Sequence, residues 1–317
     1  MNQSPVLVVG ASGFVGRHVC IALKAAGHAV RRASSKRSRF DRSLRSEPWV
    51  YLDLDDPDTY VEALRGCSEV IYLYHGLASG RDYPIREARV TSQFYKAMVD
   101  SGIHRVAYLG GVAPKGSASR HLQSRMRTGE ILRSGPLVAI ELRASMIIGR
   151  GSASFNAIRD LAVRLPVLGL PPWLDNGSCP IAIDDVVYAL TKAVEIDAPH
   201  CGCFDLPGPE WLTHRDLLSR LSSLLGTRVL ERRLGWLSPA LSARLLGIIG
   251  RERYPVIAEL IQGLPADLTP SGVNFWTHIG QYPRRSLMNA MLDALADETC
   301  ARQPSDATVE RINALFR

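Results

Sequence analysis

Residues 10 to 16 read Gly10, Ala11, Ser12, Gly13, Phe14, Val15 and Gly16, a G-x-x-G-x-x-G run. It falls directly between an apolar strand pattern, PVLVV (5–9), and the amphipathic pattern FVGRHVCIALKAAG. Glycines at this spacing let the backbone turn sharply, let it approach a diphosphate, and let a helix pack tightly on a sheet. The helix that follows offers unpaired N–H groups and the positive end of its dipole to phosphate. A lone glycine triplet is weak evidence, and the strand-turn-helix setting is what makes this one a dinucleotide-binding signal.

The next strand pattern, HAVRRA, runs into Ser34, Ser35, Lys36 and Arg37. An acid about 20 residues after the glycines accepts from the ribose hydroxyls of NAD, whereas Arg or Lys there accommodates the 2′-phosphate of NADP. No acid stands at this place, so Ser35, Lys36 and Arg37 predict NADP(H) in preference to NAD(H). Asp53 and Leu54 end WVYLDL, where Asp53 either contacts the adenine amino group or caps a turn. Tyr74 and His75, before Gly76, end the next strand pattern and are expected beside the middle of the cofactor, or to form a simple strand-end turn.

The elements that must position these residues alternate. Strand patterns PVLVV, HAVRRA, WVYLDL, EVIYLYH and HRVAYLG are separated by the helical patterns FVGRHVCIALKAAG, TYVEALRG and REARVTSQFYKAMVDSG. This alternation predicts an α/β fold, a doubly wound parallel sheet of Rossmann type. After about residue 150 the rhythm changes to LPVLGLPPW, IDDVVYALTKAVE and a helical last third. The expected organisation is a nucleotide-binding domain over 1–150 and a smaller, mainly helical substrate-type region over 151–317 that partly returns to the sheet. Ligands of such sheets bind at the carboxyl ends of the strands.

Bulk properties narrow the classes of function. With 317 residues, 46% hydrophobic and 22% charged, the chain can bury a large core. Its N-terminus lacks the pattern of an export signal, and no stretch approaches the roughly 20 apolar residues of a membrane span, so a cytoplasmic location is expected. The net charge of +7 gathers locally, with Arg31, Arg32, Lys36, Arg37, Arg39, Arg42 and Arg45 facing one acid, Asp41. Such a cluster fits a nucleotide phosphate better than nucleic acid, or is a solvated basic loop. Six scattered cysteines read as reduced thiols, and His200-Cys201-Gly202-Cys203 has no second pair at metal-site spacing. Asp184 and Asp185 precede a helical pattern and are expected to cap it.

The blocks GASGFVG, YLYHGLASG, YLGGVAP, HLQSRMRTGEILRSG, ELRASMIIGRGSASF and PIAIDDVVYAL resemble those of the atypical short-chain dehydrogenase/reductases. These are relatives of the NmrA-like redox sensors and of the NADPH-binding accessory subunit of respiratory complex I. The likeness runs from residue 5 to about residue 225 and is narrowest to a bacterial group of NAD(P)H-binding proteins. Reductases of this superfamily carry Tyr-x-x-x-Lys, in which Tyr gives a proton to the carbonyl oxygen and Lys, four residues on along one helical face, lowers the Tyr pKa and holds ribose. HLQSR falls at that place, with His121 and Arg125 at the same spacing, and Gly110 and Gly111 stand where a Ser is usual. Imidazole can act as a general acid, and Arg can hold ribose or an oxyanion but does not shuttle protons.

Two functions follow from the resemblance. One is an NADP(H)-dependent oxidoreductase reducing an apolar C=C, quinone or carbonyl substrate, with His121 and Arg125 in the catalytic positions. The other is a catalytically silent NADP(H)-binding protein that senses redox state or stabilises a complex. The segment LGWLSPALSARLLGIIGRERYPVIAELIQGL, with Trp236, Leu245, Leu246, Ile248 and Ile249, either lines an apolar pocket or meets a protein partner or membrane surface, which would make the protein peripheral to the inner membrane.

Overall fold

The computed structural model describes residues 4–36, 49–77, 80, 82–116, 118–164, 167–170, 172–196, 201–227, 230–233, 266–270 and 272–296. The seven strands of the main sheet are β1 (Val6–Val9), β2 (Val30–Ser34), β3 (Trp49–Tyr51), β4 (Glu69–Tyr72), β5 (Arg105–Gly111), β6 (Val138–Ala144) and β7 (Gly202–Asp205). They are all parallel and lie in the order β7-β6-β5-β4-β1-β2-β3. The strand order reverses between β1 and β4, and this switch point opens a crevice at the carboxyl edge. The helices are α1 (Phe14–Ala25), α2 (Tyr60–Leu64), α3 (Tyr83–Asp100), α4 (Arg120–Leu132), α5 (Ala153–Arg164), α6 (Ile183–Glu195), α7 (His214–Leu224) and α8 (Leu287–Leu295).

A parallel sheet covered on both faces needs strands that are apolar on both sides. β1 meets that need, since Val6 and Val8 pack with Val19 and Leu23 of α1 and with Val186 and Leu190 of α6. Leu7 and Val9 point the other way, into a cluster with Val90, Phe94 and Met98 of α3. α1 ends where Gly27 takes φ 89, and its N–H returns to the Lys24 carbonyl, as expected of a glycine stop. A third cluster joins Phe155 and Ile158 of α5, Leu217 and Leu221 of α7, and Leu287 and Met291 of α8. That cluster closes over Met146 and Ile148, beyond the end of β6, and gives the crevice its second wall.

The structure changes several details of the sequence reading. β4 stops at Tyr72, so Tyr74, His75 and Gly76 lie in the loop beyond it. Arg31 and Arg32 belong to β2 and not to a basic loop. The Arg31 guanidinium donates to the carbonyls of Ala63 and Arg65, at the end of α2, where the helix dipole favours a cation. Asp184 and Asp185 do not cap α6, whose N-cap Ala182 makes no side-chain cap bond. Instead the fully buried Asp185 accepts from the Arg285 backbone N–H, and Asp184 accepts from the Arg285 guanidinium, 2.8 Å away. Arg37, the basic residues Arg39, Arg42 and Arg45, His200, Cys300 and the whole 234–264 segment lie outside the described residues.

Gly16 sets how closely α1 sits on the turn before it. A Cβ there would stand 2.2 Å from the Gly10 carbonyl oxygen and 2.8 Å from the Ala11 Cα, both backbone atoms. Gly16→Ala must therefore push the helix off the sheet. Chemical denaturation should show a loss of about 1–3 kcal/mol, the usual cost of overpacking. An unchanged midpoint would mean that the helix can move freely.

Candidate functional site

The glycine turn has the geometry that a diphosphate needs. Gly10 takes φ 84, open to glycine, and a Cβ on it would meet the Leu73 backbone at 3.2 Å. The Gly13 N–H closes the turn on the Gly10 carbonyl at 2.9 Å. Gly13 is the N-cap of α1, no side chain caps the helix there, and its first turn holds no acid. Gly13 is exposed, so the dipole end faces open space. Phe14, Val15 and Gly16 continue along the wall of the cleft, whereas Ser12 is half-buried and outside its lining.

Ala33 pairs with Val9, so the turn after β2 stands beside Gly10 at the same sheet edge. The Ser34 hydroxyl accepts from the Lys36 N–H at 3.2 Å, and Ser35 and Lys36 are exposed. Asp53 caps a local turn, because its carboxylate accepts from the Asp55 N–H at 3.1 Å and its own N–H donates to Thr59. Leu54 is a core residue packed behind the sheet, and its carbonyl accepts from the Tyr60 hydroxyl at 2.6 Å. Asp53, Leu54, Ser35 and Lys36 are all outside the cleft lining.

The cleft itself is a cavity of about 360 Å³. Gly10 and Gly13 line it together with His75, His121 and Arg125, and with apolar residues such as Leu109, Val112, Met146 and Ile158. α4 carries His121 and Arg125 into it. Ser119 caps this helix by accepting from the Leu122 N–H, which fixes where its first turn begins.

Arg125 is buried and makes three hydrogen bonds through its terminal nitrogens. Its guanidinium donates to the carbonyls of Tyr74, at 3.0 Å, and Leu109, and to Glu87 of α3 at 3.3 Å, while its plane lies 4.7 Å from the Tyr108 ring. Glu87, only 1% exposed, also accepts from the Ser124 hydroxyl at 2.7 Å. These partners are strand ends and a neighbouring helix. Tyr74 contributes its carbonyl to this network, and its ring packs against Tyr72 at the edge of the core.

His121 is half-buried, and its Nδ1 is enclosed without a hydrogen-bond partner. Burial, then the Arg125 charge, then His75 push its pKa down to about 3. His75 is exposed and lines the cleft, and desolvation together with Arg125 pushes it down to about 4. His214, at the start of α7, also lines the cavity and is pushed down to about 4 by burial alone. All three imidazoles are therefore neutral near pH 7. The sequence reading anticipated His121 and His75. It missed His214, Ser152 and Ser154, and an isolated His at a helix start carries no signal of its own.

Depressed histidines make stability depend on pH in a definite direction. An unfolded imidazole takes up its proton near pH 6.5, whereas His214 in the fold resists until about 4. Between those values the unfolded chain binds more protons, so the stabilisation present above pH 6.5 is lost as acid is added. For His214 the loss at pH 5 is on the order of 2 kcal/mol. Urea midpoints at pH 7 and pH 5 should fall further apart in the wild type than in His214→Leu. Equal differences would show that this imidazole is not held neutral.

Comparison with known proteins agrees with the geometry. Residues 6–136 match the model of the NAD dependent epimerase/dehydratase family. No curated protein matches the chain in sequence. Among solved structures, the triphenylmethane reductase of Citrobacter sp. complexed with NADP(H) is similar at a TM-score of 0.73 and 16% identity, covering 92% of this chain and 100% of its own. A nucleoside-diphosphate-sugar epimerase from Pseudomonas aeruginosa is similar at 0.68 and 19% identity, covering 99% and 100%. MoeE5 in complex with UDP-glucuronic acid and NAD is similar at 0.59 and 17%, covering 82% and 97%. At these identities the likeness is one of fold. Residues 6–136 thus carry the match to the NAD dependent epimerase/dehydratase family, within a chain whose fold is shared with these reductase and epimerase structures.

Proposed function

We propose that the protein is an NADP(H)-dependent oxidoreductase that reduces an apolar, activated acceptor, a quinone, enone or reactive carbonyl, held in the cleft. The observation that carries this reading is that one cavity is lined both by the open end of α1, with Gly10 and Gly13, and by Leu109, Val112, Met146 and Ile158. A dinucleotide on the glycine turn and an apolar molecule in the cavity would therefore adjoin. The Citrobacter neighbour, a reductase named for a triphenylmethane substrate and complexed with NADP(H), lends the reading support by analogy.

The cofactor when bound supplies the hydride. The chain's own residues bind, orient and manage the proton. Gly13 and the first turn of α1 would hold the diphosphate, and Lys36, exposed after β2, would meet a 2′-phosphate. Arg125 is tied to the loop after β4, to the end of β5 and to Glu87, where a Lys would be free to reach ribose. His121 is neutral in the cleft, so a direct gift of its proton at pH 7 draws on a small imidazolium fraction. The negative charge of a bound dinucleotide acts in the opposite direction and raises that fraction. An acceptor that needs little help from an acid suits this site better than an unactivated ketone. The engagement of Arg125 also favours a second reading, in which the protein binds NADP(H) without turnover.

Calorimetric titration should find NADPH bound about tenfold or more tightly than NADH, the scale of one charge-assisted contact. Lys36→Ala should remove most of that difference and leave NADH affinity alone. Equal affinities in the wild type would abolish the phosphate argument.

Turnover separates the two readings. NADPH oxidation by a small quinone should rise as pH falls from 8 to 6, and His121→Ala should lower it by roughly 10² if imidazole delivers the proton. Wild-type rates in His121→Ala would assign proton delivery to water. Tight NADPH binding with no oxidation across quinones, enals and ketones would leave the silent binder.

A further inference from the structure

Two features of the cleft have no part in hydride transfer to the acceptor. His214 is 2% exposed, yet neither of its ring nitrogens has a hydrogen-bond partner. It lines the same cavity as the glycine turn. It is not needed to cap its own helix, since Thr213 and Asp216 form a complete capping box there. A buried imidazole with both nitrogens unmet is costly to keep, because a neutral ring has one donor and one acceptor to satisfy.

The second feature is the start of α5. Ser152, Ala153 and Ser154 all line the cavity. The Ser152 hydroxyl is occupied, donating to the Ile147 carbonyl at 2.7 Å and accepting from the Phe155 N–H at 3.4 Å. The N–H groups of Ala153 and Ser154 belong to the first turn, where helix geometry supplies no intrahelical acceptor. The Ser154 hydroxyl is half-buried and 3.1 Å from that of Ser152. α5 and α7 pack on each other, so the two features share one wall.

We infer that His214 and the first turn of α5 form a subsite for the oxygen head group, carboxyl or phenol, of an otherwise apolar ligand. Only in naming that ligand the substrate does the inference rest on the reductase reading. An oxygen head group fits because a phenol can donate its O–H to the bare imidazole nitrogen and a carboxylate can accept from the imidazole N–H, while in either case an oxygen accepts from the Ser154 hydroxyl or the α5 N–H groups. A cationic head group does not fit. The helix end and Arg125 both oppose positive charge, and no Asp or Glu is among the described residues that line the cavity. Around the subsite Ala157, Ile158 and Leu268 offer only apolar surface to the rest of the molecule.

The test uses the full chain saturated with NADP⁺, so that no turnover intervenes, and three probes of one shape: 2-naphthoate, 2-naphthol and 2-methylnaphthalene. At least one oxygen probe should bind about tenfold or more tightly than 2-methylnaphthalene, and the better of the two identifies the head group. His214→Leu should bring it to the level of 2-methylnaphthalene, with NADP⁺ affinity unchanged and a melting temperature at pH 7 no lower than wild type. Ser154→Val should weaken the same probe in part. Equal affinity of all three probes, an unaltered preference in His214→Leu, or a His214→Leu protein that melts several degrees lower or does not fold would each overturn the subsite. Failure of NADP⁺ to bind would sink the reductase reading separately, and the three probes compared on the unliganded protein would still decide the subsite.

Discussion

The buried pairing of Arg125 with Glu87 is the constraint on which both the fold at the sheet edge and the character of the cleft depend. A guanidinium is tolerated in the interior only when its donors are used and its charge is met. Here one fork reaches a carboxylate on α3 and the carbonyls of Tyr74 and Leu109, in the chain just after β4 and near the end of β5. β4 borders the switch point and β5 lies next to it, so one side of the crevice's mouth is held from its floor. Glu87 is held in turn by Ser124, one residue before Arg125 on the same helix. Removing either charge would leave the other buried without a partner, a cost of roughly 3–5 kcal/mol.

That same charge explains the chemistry available above it. His75 and His121 both line the cleft and both feel Arg125, so each keeps its proton off at neutral pH. A cleft with three neutral imidazoles, apolar walls and one compensated cation has little to offer a substrate that needs strong acid assistance. It offers more to an acceptor that stabilises its own developing charge. The proposed preference for an activated, apolar acceptor thus rests on the electrostatics, and it does not depend on which nitrogen of His121 carries the hydrogen.

Much of this architecture was legible in the sequence because its signals are local. The glycine run, the apolar strand patterns of the first half and the α1 periodicity depend on neighbours within a turn or a strand, and they match β1 to β5, α1 and α3. The rest depends on partners far apart in the chain. Glu87 reads as one more charge in REARVTSQF, and only its contact with α4, nearly forty residues on, makes it a buried counter-ion. Asp185 reads as a cap, yet its partner is the Arg285 backbone, a hundred residues away. His214 has no pattern at all, since its distinction is the absence of a partner in a space formed by three separate segments.

The exchange of Lys for Arg at position 125 is the least conservative feature of HLQSR. An ammonium is a compact point charge on a flexible stem, able to leave a partner and reach ribose or a neighbouring hydroxyl. The guanidinium is a planar fork, and each hydrogen bond it makes fixes the direction of the others. With Glu87 and two carbonyls in its grasp, Arg125 is committed to structure. The Tyr position then loses its reason, because a phenol far from a free cation has its pKa near 10 and is a poor acid. Imidazole at position 121 needs no neighbouring cation to be useful, and it is shorter, leaving room in the cavity for a larger acceptor. Under the proposed reading the two replacements are coupled: with Arg125 held at the strand ends, His121 would keep a proton-handling group at the cleft without depending on a neighbouring Lys.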